Sequence, residues 1–261
     1  MSGAAETGEK GGLMSRKRQL GWLRSLTTAA APSLRVVCFP HSGGSAAAFA
    51  EWASAMPPGV ELLAVQYPGR SDRFIEPLVD TVSMMAAHAA TELLRLPMGD
   101  YVLFGHSLGA VVAYETALAL RDGGREPRRL CVSACLPPGH MTNPQVHLAP
   151  DDEFWEILQH LGGIEPGIAE NDELRELLLP TLRSDLRAHA TYQPPSAANP
   201  LSCPVTCYHG TGDPLVDEAR LAGWAAVTEG EFALRVRAGG HFHIATETRE
   251  LISDVLGRNP A

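Results

Sequence analysis

The chain has little of what several protein classes require. Its five cysteines, Cys38, Cys131, Cys135, Cys203 and Cys207, are an odd number, with no CxxC pair and no accompanying His/Cys cluster. That pattern argues against a disulfide framework and a metal site, and predicts thiols that act as small buried apolar groups in a reducing compartment. Positive charge is also scarce. The 21 Lys and Arg stand against 30 Asp and Glu, a formal net charge of −9. Nucleic acid is therefore not an expected partner, because phosphate binding needs a basic face. No apolar run approaches the length of a membrane span. Arg16-Lys17-Arg18 followed by Leu20-Gly21-Trp22-Leu23 imitates a signal peptide, but Arg24, Ser25, Thr27 and Thr28 break the run too early for one. A soluble cytoplasmic protein with no membrane partner is expected.

What is present suits a globular α/β domain. Apolar residues make up 45% and charged residues 20% of the chain, enough to bury a large core and too apolar for a disordered chain. Residues 1–20, with their Gly, Glu and Lys, read as a flexible extension, and 21–261 as one domain. Short apolar runs recur at Leu34–Phe39, Glu61–Tyr67, Tyr101–Phe104, Leu130–Cys135, Val205–His209 and Ala233–Arg237. Helical patterns lie between them at Ala46–Ala55, Val82–Leu96, Leu108–Arg121 and Leu215–Val227. Near-continuous apolar strands alternating with helices predict a mostly parallel sheet covered on both faces.

Residues 151–190 break the alternation. Phe154, Ile157, Leu158 and Leu161 make one helical stripe, and Leu174, Leu177, Leu178 and Leu182 a second. This stretch holds ten acids against three arginines. An insertion of this kind, spanning about 140–195, is expected to be a lid over a site at the carboxyl edge of the sheet.

Gly105-His106-Ser107-Leu108-Gly109 follows a predicted strand and opens a predicted helix. G-x-S-x-G in that context marks a serine nucleophile on a tight turn, with helix N–H groups beside the hydroxyl. A nucleophilic serine needs a base, and the base an orienting acid, in the chain order Ser, Asp or Glu, His. Asp213 follows the Val205–His209 run in His209-Gly-Thr-Gly-Asp213, with Asp217 as its rival. His241 follows the Ala233–Arg237 run in Gly239-Gly-His-Phe-His243, with His243 as its rival. His106 reads as a lining residue of the turn, and His88, His147, His160 and His189 as surface or lid residues. A second oxyanion donor is expected from Phe39-Pro-His-Ser-Gly-Gly-Ser45, which resembles the HGGG type of loop. The predicted donors are the backbone N–H groups of Ser42 and Leu108.

Five motifs together resemble one family. They are Val37-Cys-Phe-Pro-His-Ser-Gly-Gly-Ser45, Gln66-Tyr-Pro-Gly-Arg-Ser-Asp-Arg73, Phe104-Gly-His-Ser-Leu-Gly-Ala110, Leu179-Pro-Thr-Leu-Arg-Ser-Asp185 and Gly239-Gly-His-Phe242. They are similar to the type II thioesterases of polyketide and nonribosomal peptide assembly lines, which are α/β hydrolases. The resemblance extends from about Trp22 over nearly the whole chain. It implies an α/β-hydrolase fold, with Ser107 as nucleophile, Asp213 as acid and His241 as base. It implies no cofactor, and as partner an acyl or peptidyl carrier protein whose phosphopantetheine arm presents the acyl thioester. The activity implied is removal of stalled or mis-primed acyl groups. The sequence departs from the family at Ser42, where Ala is usual, at Leu108, where Met is common, and at His243, where an apolar or aromatic residue is more usual. An acidic carrier calls for a local basic face, for which Arg16, Lys17, Arg18 and Arg24, or Arg125, Arg128 and Arg129, are the candidates. A carboxylesterase acting on oxygen esters is the alternative enzyme, and a non-catalytic protein on the same scaffold the alternative from another class.

Overall fold

The computed structural model describes residues 19–140, 145–160, 164, 170–195 and 199–258. Eight strands form one sheet: β1 (Gln19–Leu20), β2 (Leu23–Ser25), β3 (Leu34–Phe39), β4 (Val60–Val65), β5 (Asp100–His106), β6 (Arg129–Ser133), β7 (Val205–Gly210) and β8 (Phe232–Arg237). Their spatial order is β1-β2-β4-β3-β5-β6-β7-β8. From β4 to β8 every pairing is parallel. The β1–β2 hairpin joins the β4 edge antiparallel, with Leu23 opposite Val65. Sequence patterning did not mark this hairpin, because its strands are only two and three residues long. Of the extension predicted over 1–20, residues 1–18 lie outside the described residues, while Gln19 and Leu20 pair with β2.

The strands read as continuous apolar runs because each feeds two cores. Val37 and Phe39 of β3, Leu63 and Val65 of β4, and Leu103 of β5 face one cluster. Val36 and Cys38, Leu62 and Ala64, and Val102 and Phe104 face the other. Side chains that alternate between two buried faces leave no polar position in a central strand. All five cysteines are free and buried in these layers.

Helices α1 (Val82–Leu94) and α2 (Leu108–Asp122) cover the first face, and a short α-helix at Thr248–Val255 covers part of the second. That C-terminal helix was not predicted. It buries Leu251, Ile252 and Val255 within eight residues, too short for a periodic signal. Two segments predicted as helices are 3-10 helices, Ala46–Ala55 and Glu218–Val227. The reason is legible afterwards. Their buried residues, Ala46, Phe49 and Trp52, and Leu221, Trp224 and Val227, recur every three residues. That spacing lines one face of a helix with three residues per turn, not 3.6.

The insertion contributes α3 (Asp151–His160) and α4 (Asp172–Ala190). Phe154, Trp155, Leu158 and Leu182 form a small core of their own. The second predicted stripe is only half correct: Leu174 and Leu177 are exposed, and α4 buries Thr181, Leu182, Asp185 and Ala188. Leu161 lies outside the described residues. Among the described residues no helix is long and apolar enough to cross a membrane.

Helix α2 lies closer to the sheet than side chains allow. A Cβ on Gly105 would fall 2.1 Å from the Gly109 carbonyl oxygen, and one on Gly109 would fall 2.0 Å from the Phe39 carbonyl oxygen. Both obstacles are backbone, so neither can step aside. Gly109→Ala is therefore expected to cost about 2 kcal/mol or more, read as a lower urea midpoint. A midpoint equal to that of the wild type would contradict this packing.

Candidate active site

The strand order reverses at β3. The chain leaves β3 for β4 on one side and later returns to β5 on the other. The crevice beyond the carboxyl ends of β3 and β5 is the topological switch point, where open parallel sheets bind ligands. Two loops enter it: Pro40–Ser45 after β3, and Ser107 between β5 and α2.

Ser107 has φ 54° and ψ −122°, a conformation that L-residues rarely adopt. The surrounding backbone holds it there. Its N–H donates to the Ser133 carbonyl at 2.8 Å, and the Gly105–Gly109 contact fixes the turn on both sides. Leu108 is the first residue of α2, where an N–H has no intrahelical acceptor. That N–H is available to an anion formed beside the serine.

His241 Nε2 lies 3.1 Å from Ser107 Oγ, and His241 Nδ1 lies 2.9 Å from Asp213 Oδ2. The Asp213 carboxylate is fully enclosed, and its second oxygen accepts the Leu215 N–H at 2.9 Å. A carboxylate only accepts, so it takes the Nδ1 proton and leaves the Nε2 lone pair toward the serine hydroxyl. Backbone bonds zip the two loops together: Thr211 N–H to the Arg237 carbonyl at 2.9 Å, and Gly212 N–H to the Gly239 carbonyl at 2.8 Å. The structure thus brings Ser107, His241 and Asp213 into one hydrogen-bonded line. The rival acid, Asp217, instead caps the 3-10 helix Glu218–Val227, accepting from Ala219 N–H at 3.1 Å.

The rival base, His243, is buried and bonds to Ser133 rather than to Ser107. Its Nε2 lies 3.0 Å from Ser133 Oγ, and the same hydroxyl lies 3.0 Å from His106 Nδ1. His106 is fully buried, with its ring 5.3 Å from that of His241 and 5.9 Å from that of His41. Burial pushes His41, His189 and His243 down to about 4, and His106 well below its ordinary value. The neighbouring charge of His241 lowers His41, His106 and His189 further. At neutral pH these imidazoles are uncharged. Among the described residues no group of three or more His, Cys, Asp and Glu is arranged to hold a metal ion.

Ser42 and Ser107 line a cavity of about 190 Å³ whose walls include Leu136, Leu158, Leu182 and Val216. Leu158 comes from α3 and Leu182 from α4, so the insertion supplies part of the wall. His189 also lines the cavity, with Nε2 3.6 Å from the Cys135 thiol. Behind the Pro40–Ser45 loop lies a buried pair, Arg70 and Asp185, whose role the sequence motifs around them do not indicate. Arg70 Nη1 and Nη2 donate to the two Asp185 carboxylate oxygens at 2.5 and 2.9 Å. Asp185 Oδ2 also accepts the Gly43 N–H at 2.7 Å. The available signal was an acid on the apolar face of α4, among Thr181, Leu182 and Ala188.

Among the described residues, most of the basic side chains expected to form a docking face are engaged within the fold. Arg125 donates to the carbonyls of Leu93, Leu94, Leu96 and Pro97, closing the C-terminal end of α1. Arg24 pairs with Asp72 at 2.7 Å, and Arg129 donates to the Asp254 carbonyl at 3.1 Å. Arg128 stands 3.7 Å from Asp100. Arg16, Lys17 and Arg18 lie outside the described residues.

The thioesterase domain family matches residues 34–258. Thioesterase PikA5 of Streptomyces venezuelae is 40% identical over 238 residues, covering 90% of this chain and 84% of that protein. The structure of BorB, a type II thioesterase from the borrelidin biosynthetic cluster, superposes with a TM-score of 0.82. It is 34% identical, with 90% of this chain and 96% of that one covered. The RedJ thioesterase from the prodiginine pathway in Streptomyces coelicolor gives a TM-score of 0.81 at 34% identity, covering 89% of this chain and 88% of its own.

The buried histidines set a pH dependence of stability. Their folded values lie below 6.5, so between 6.5 and about 4 the unfolded chain binds more protons than the folded one. Stability is fully present above pH 6.5 and is lost as pH falls through this window. The melting temperature is expected to drop steeply from pH 7 to pH 5. A flat profile over that range in a differential scanning measurement would contradict neutral burial of these rings.

Proposed function

This chain belongs to the thioesterase family and is a type II thioesterase with an α/β-hydrolase fold, and from that premise we propose how its own residues carry the reaction. Ser107 is the nucleophile, His241 the general base and Asp213 the residue that orients the base. The single observation that carries this reading is the hydrogen-bonded line Ser107–His241–Asp213 opening on an apolar cavity. The substrate is an acyl thioester on the phosphopantetheine arm of an acyl or peptidyl carrier protein. The product is the free acid of a stalled or mis-primed acyl unit.

The steps follow from the groups. Ser107 Oγ forms a bond to the thioester carbonyl carbon while its proton passes to His241 Nε2. Asp213 stabilises the imidazolium so formed. The carbonyl oxygen becomes an anion that the Ser42 and Leu108 N–H groups receive. Collapse breaks the carbon–sulfur bond, and the leaving sulfur takes the proton from His241. Water then enters, gives a proton back to His241 Nε2 and attacks the acyl-serine. The second collapse returns that proton to Ser107 and frees the acid.

The cavity supports a limit on the acyl group. An apolar cavity of about 150 Å³ accommodates benzene, and the cavity here is of similar size at about 190 Å³, which suits a short apolar acyl group. The α3–α4 insertion acts as the lid, since it supplies apolar wall without supplying any residue of the proposed triad.

Ser107→Ala should lower hydrolysis of a carrier-bound acyl thioester by at least about 10³-fold without changing the melting temperature by more than a few degrees. Turnover near the wild-type rate in a folded Ser107→Ala variant would remove the triad assignment. The substrate assignment is tested separately, by comparing a short acyl group on a carrier protein with an oxygen ester of the same acyl chain. The carrier thioester should have the higher kcat/KM. Preference for the ester would keep the triad and make the enzyme a general esterase.

A further inference from the structure

We infer that Asp185 is a positioning residue, which holds the oxyanion loop in its working shape from the lid helix. The inference rests on the reading that Ser42 N–H receives the oxyanion, and it adds residues that reading does not use. Ser42 is followed directly by Gly43, and Gly43 is gripped twice by α4. Its N–H donates to Asp185 Oδ2 at 2.7 Å. Its α-carbon lies against Leu182, so closely that a Cβ would sit 2.6 Å from Leu182 Cδ2. Gly43 also has φ +76°, a turn that glycine alone adopts freely. The peptide plane joining Ser42 to Gly43 is thus fixed at its Gly43 end by a helix distant in sequence.

Asp185 is itself immobilised. It is fully buried, and Arg70 meets both its oxygens in a fork. Such bidentate pairs fix orientation as well as distance. Arg70 Nη1 also reaches the Gly44 carbonyl at 3.4 Å, and Gln66, four residues earlier, accepts the Ala46 N–H at 3.0 Å. Gln66 Nε2 donates back to the Arg70 carbonyl at 3.2 Å, and Thr181 Oγ1 donates to the Gly69 carbonyl at 3.1 Å. Three motifs far apart in sequence, around Gly43, Arg70 and Asp185, therefore form one clamp. A carboxylate removed from water costs several kcal/mol unless fully partnered. Here all its partners converge on the loop beside the nucleophile. The consequence is that the lid helix is part of the oxyanion machinery: α4 cannot move away from the loop without releasing Gly43.

The test separates positioning from folding. Asp185→Asn weakens the clamp but leaves Arg70 buried without its counter-charge. The double variant Arg70→Met/Asp185→Leu removes both charges, an exchange that buried ion pairs often tolerate, while still depriving Gly43 of its acceptor. Each folded variant is assayed for kcat and KM on carrier-bound thioester. It is also titrated with a trifluoromethyl ketone analogue of the acyl group, which bonds to Ser107 and carries the oxyanion, and with the free acid product. The expected result is a kcat lower by about 100-fold, with KM within about threefold. Analogue affinity should fall with kcat while product affinity stays unchanged. A folded variant that keeps wild-type kcat and analogue affinity overturns the inference. In the wild type, the Gly43 amide should resist hydrogen exchange and shift on formation of the ketone adduct. Free exchange of that amide overturns the inference even if neither variant folds. Wild-type enzyme that hydrolyses the thioester only through Ser107, beside an indifferent Asp185 variant, would remove the clamp alone. Turnover in Ser107→Ala would remove the proposed site beneath it.

Discussion

The backbone strain at Ser107 is the constraint around which the rest is arranged. A non-glycine residue at φ 54° and ψ −122° costs on the order of 1–3 kcal/mol and persists only where its surroundings over-determine it. Here they do. Gly105, Gly109 and the end of β3 are in backbone contact, and β6 takes the Ser107 N–H. The strain sets the hydroxyl at the end of β5 and leaves the first N–H of α2 beside it. Relaxing the turn would require α2 to lift from the sheet, and with it most of the larger core, which α2 helps to build.

The same parallel sheet explains why His241 and Asp213 arrive in register. Strands β5, β7 and β8 all run in one direction, so the loops after them emerge at one edge. The Asp213 and His241 loops then bond to one another through backbone groups from residues 211–212 and 237–239. The Asp213–His241 distance is thus set by main chain, and the side chains need only rotate into it. The α4 helix is tied to the Pro40–Ser45 loop through side chains instead, by Asp185 held between Arg70 and the Gly43 N–H.

These differences in how parts are held match what could be read from sequence. The strands, α1, α2 and the Ser107, Asp213 and His241 loops follow local rules: apolar runs buried on two faces, and turns with fixed spacing. They were legible within a residue or two at most boundaries. The two 3-10 helices are legible as helical but not by type, because residues spaced by three, such as Ala46, Phe49 and Trp52, also satisfy part of a 3.6 pattern. The β1–β2 hairpin and the C-terminal helix depend on the sheet and core they dock against, and their own sequences are too short to declare them. Arg125 reads as a surface charge until its four carbonyl partners at the end of α1 are seen. The Arg70–Asp185 pair is 115 positions apart, and neither residue announces the other. Long-range polar pairs of this kind leave only an indirect trace, an acid on a face that is otherwise apolar.

The histidines around His241 decide how much positive charge surrounds it. During the proposed reaction His241 becomes cationic, and a second cation in contact would oppose that step. His41, His106 and His243 all lie close by, yet burial keeps each of them neutral at working pH. Ser133 adds a constraint of its own. One hydroxyl has one proton, so between His106 Nδ1 and His243 Nε2 it donates to one ring and accepts from the other. The two rings therefore share one tautomer, each with a single proton: both carry it on Nε2 when Ser133 donates to His106, and both on Nδ1 when it donates to His243. Adding a second proton to the ring that accepts from Ser133 would force the hydroxyl to turn and leave two donors facing it. The bridge therefore opposes charging of the ring that accepts from Ser133, and burial opposes charging of both, so neither His106 nor His243 adds a cation beside His241 at working pH.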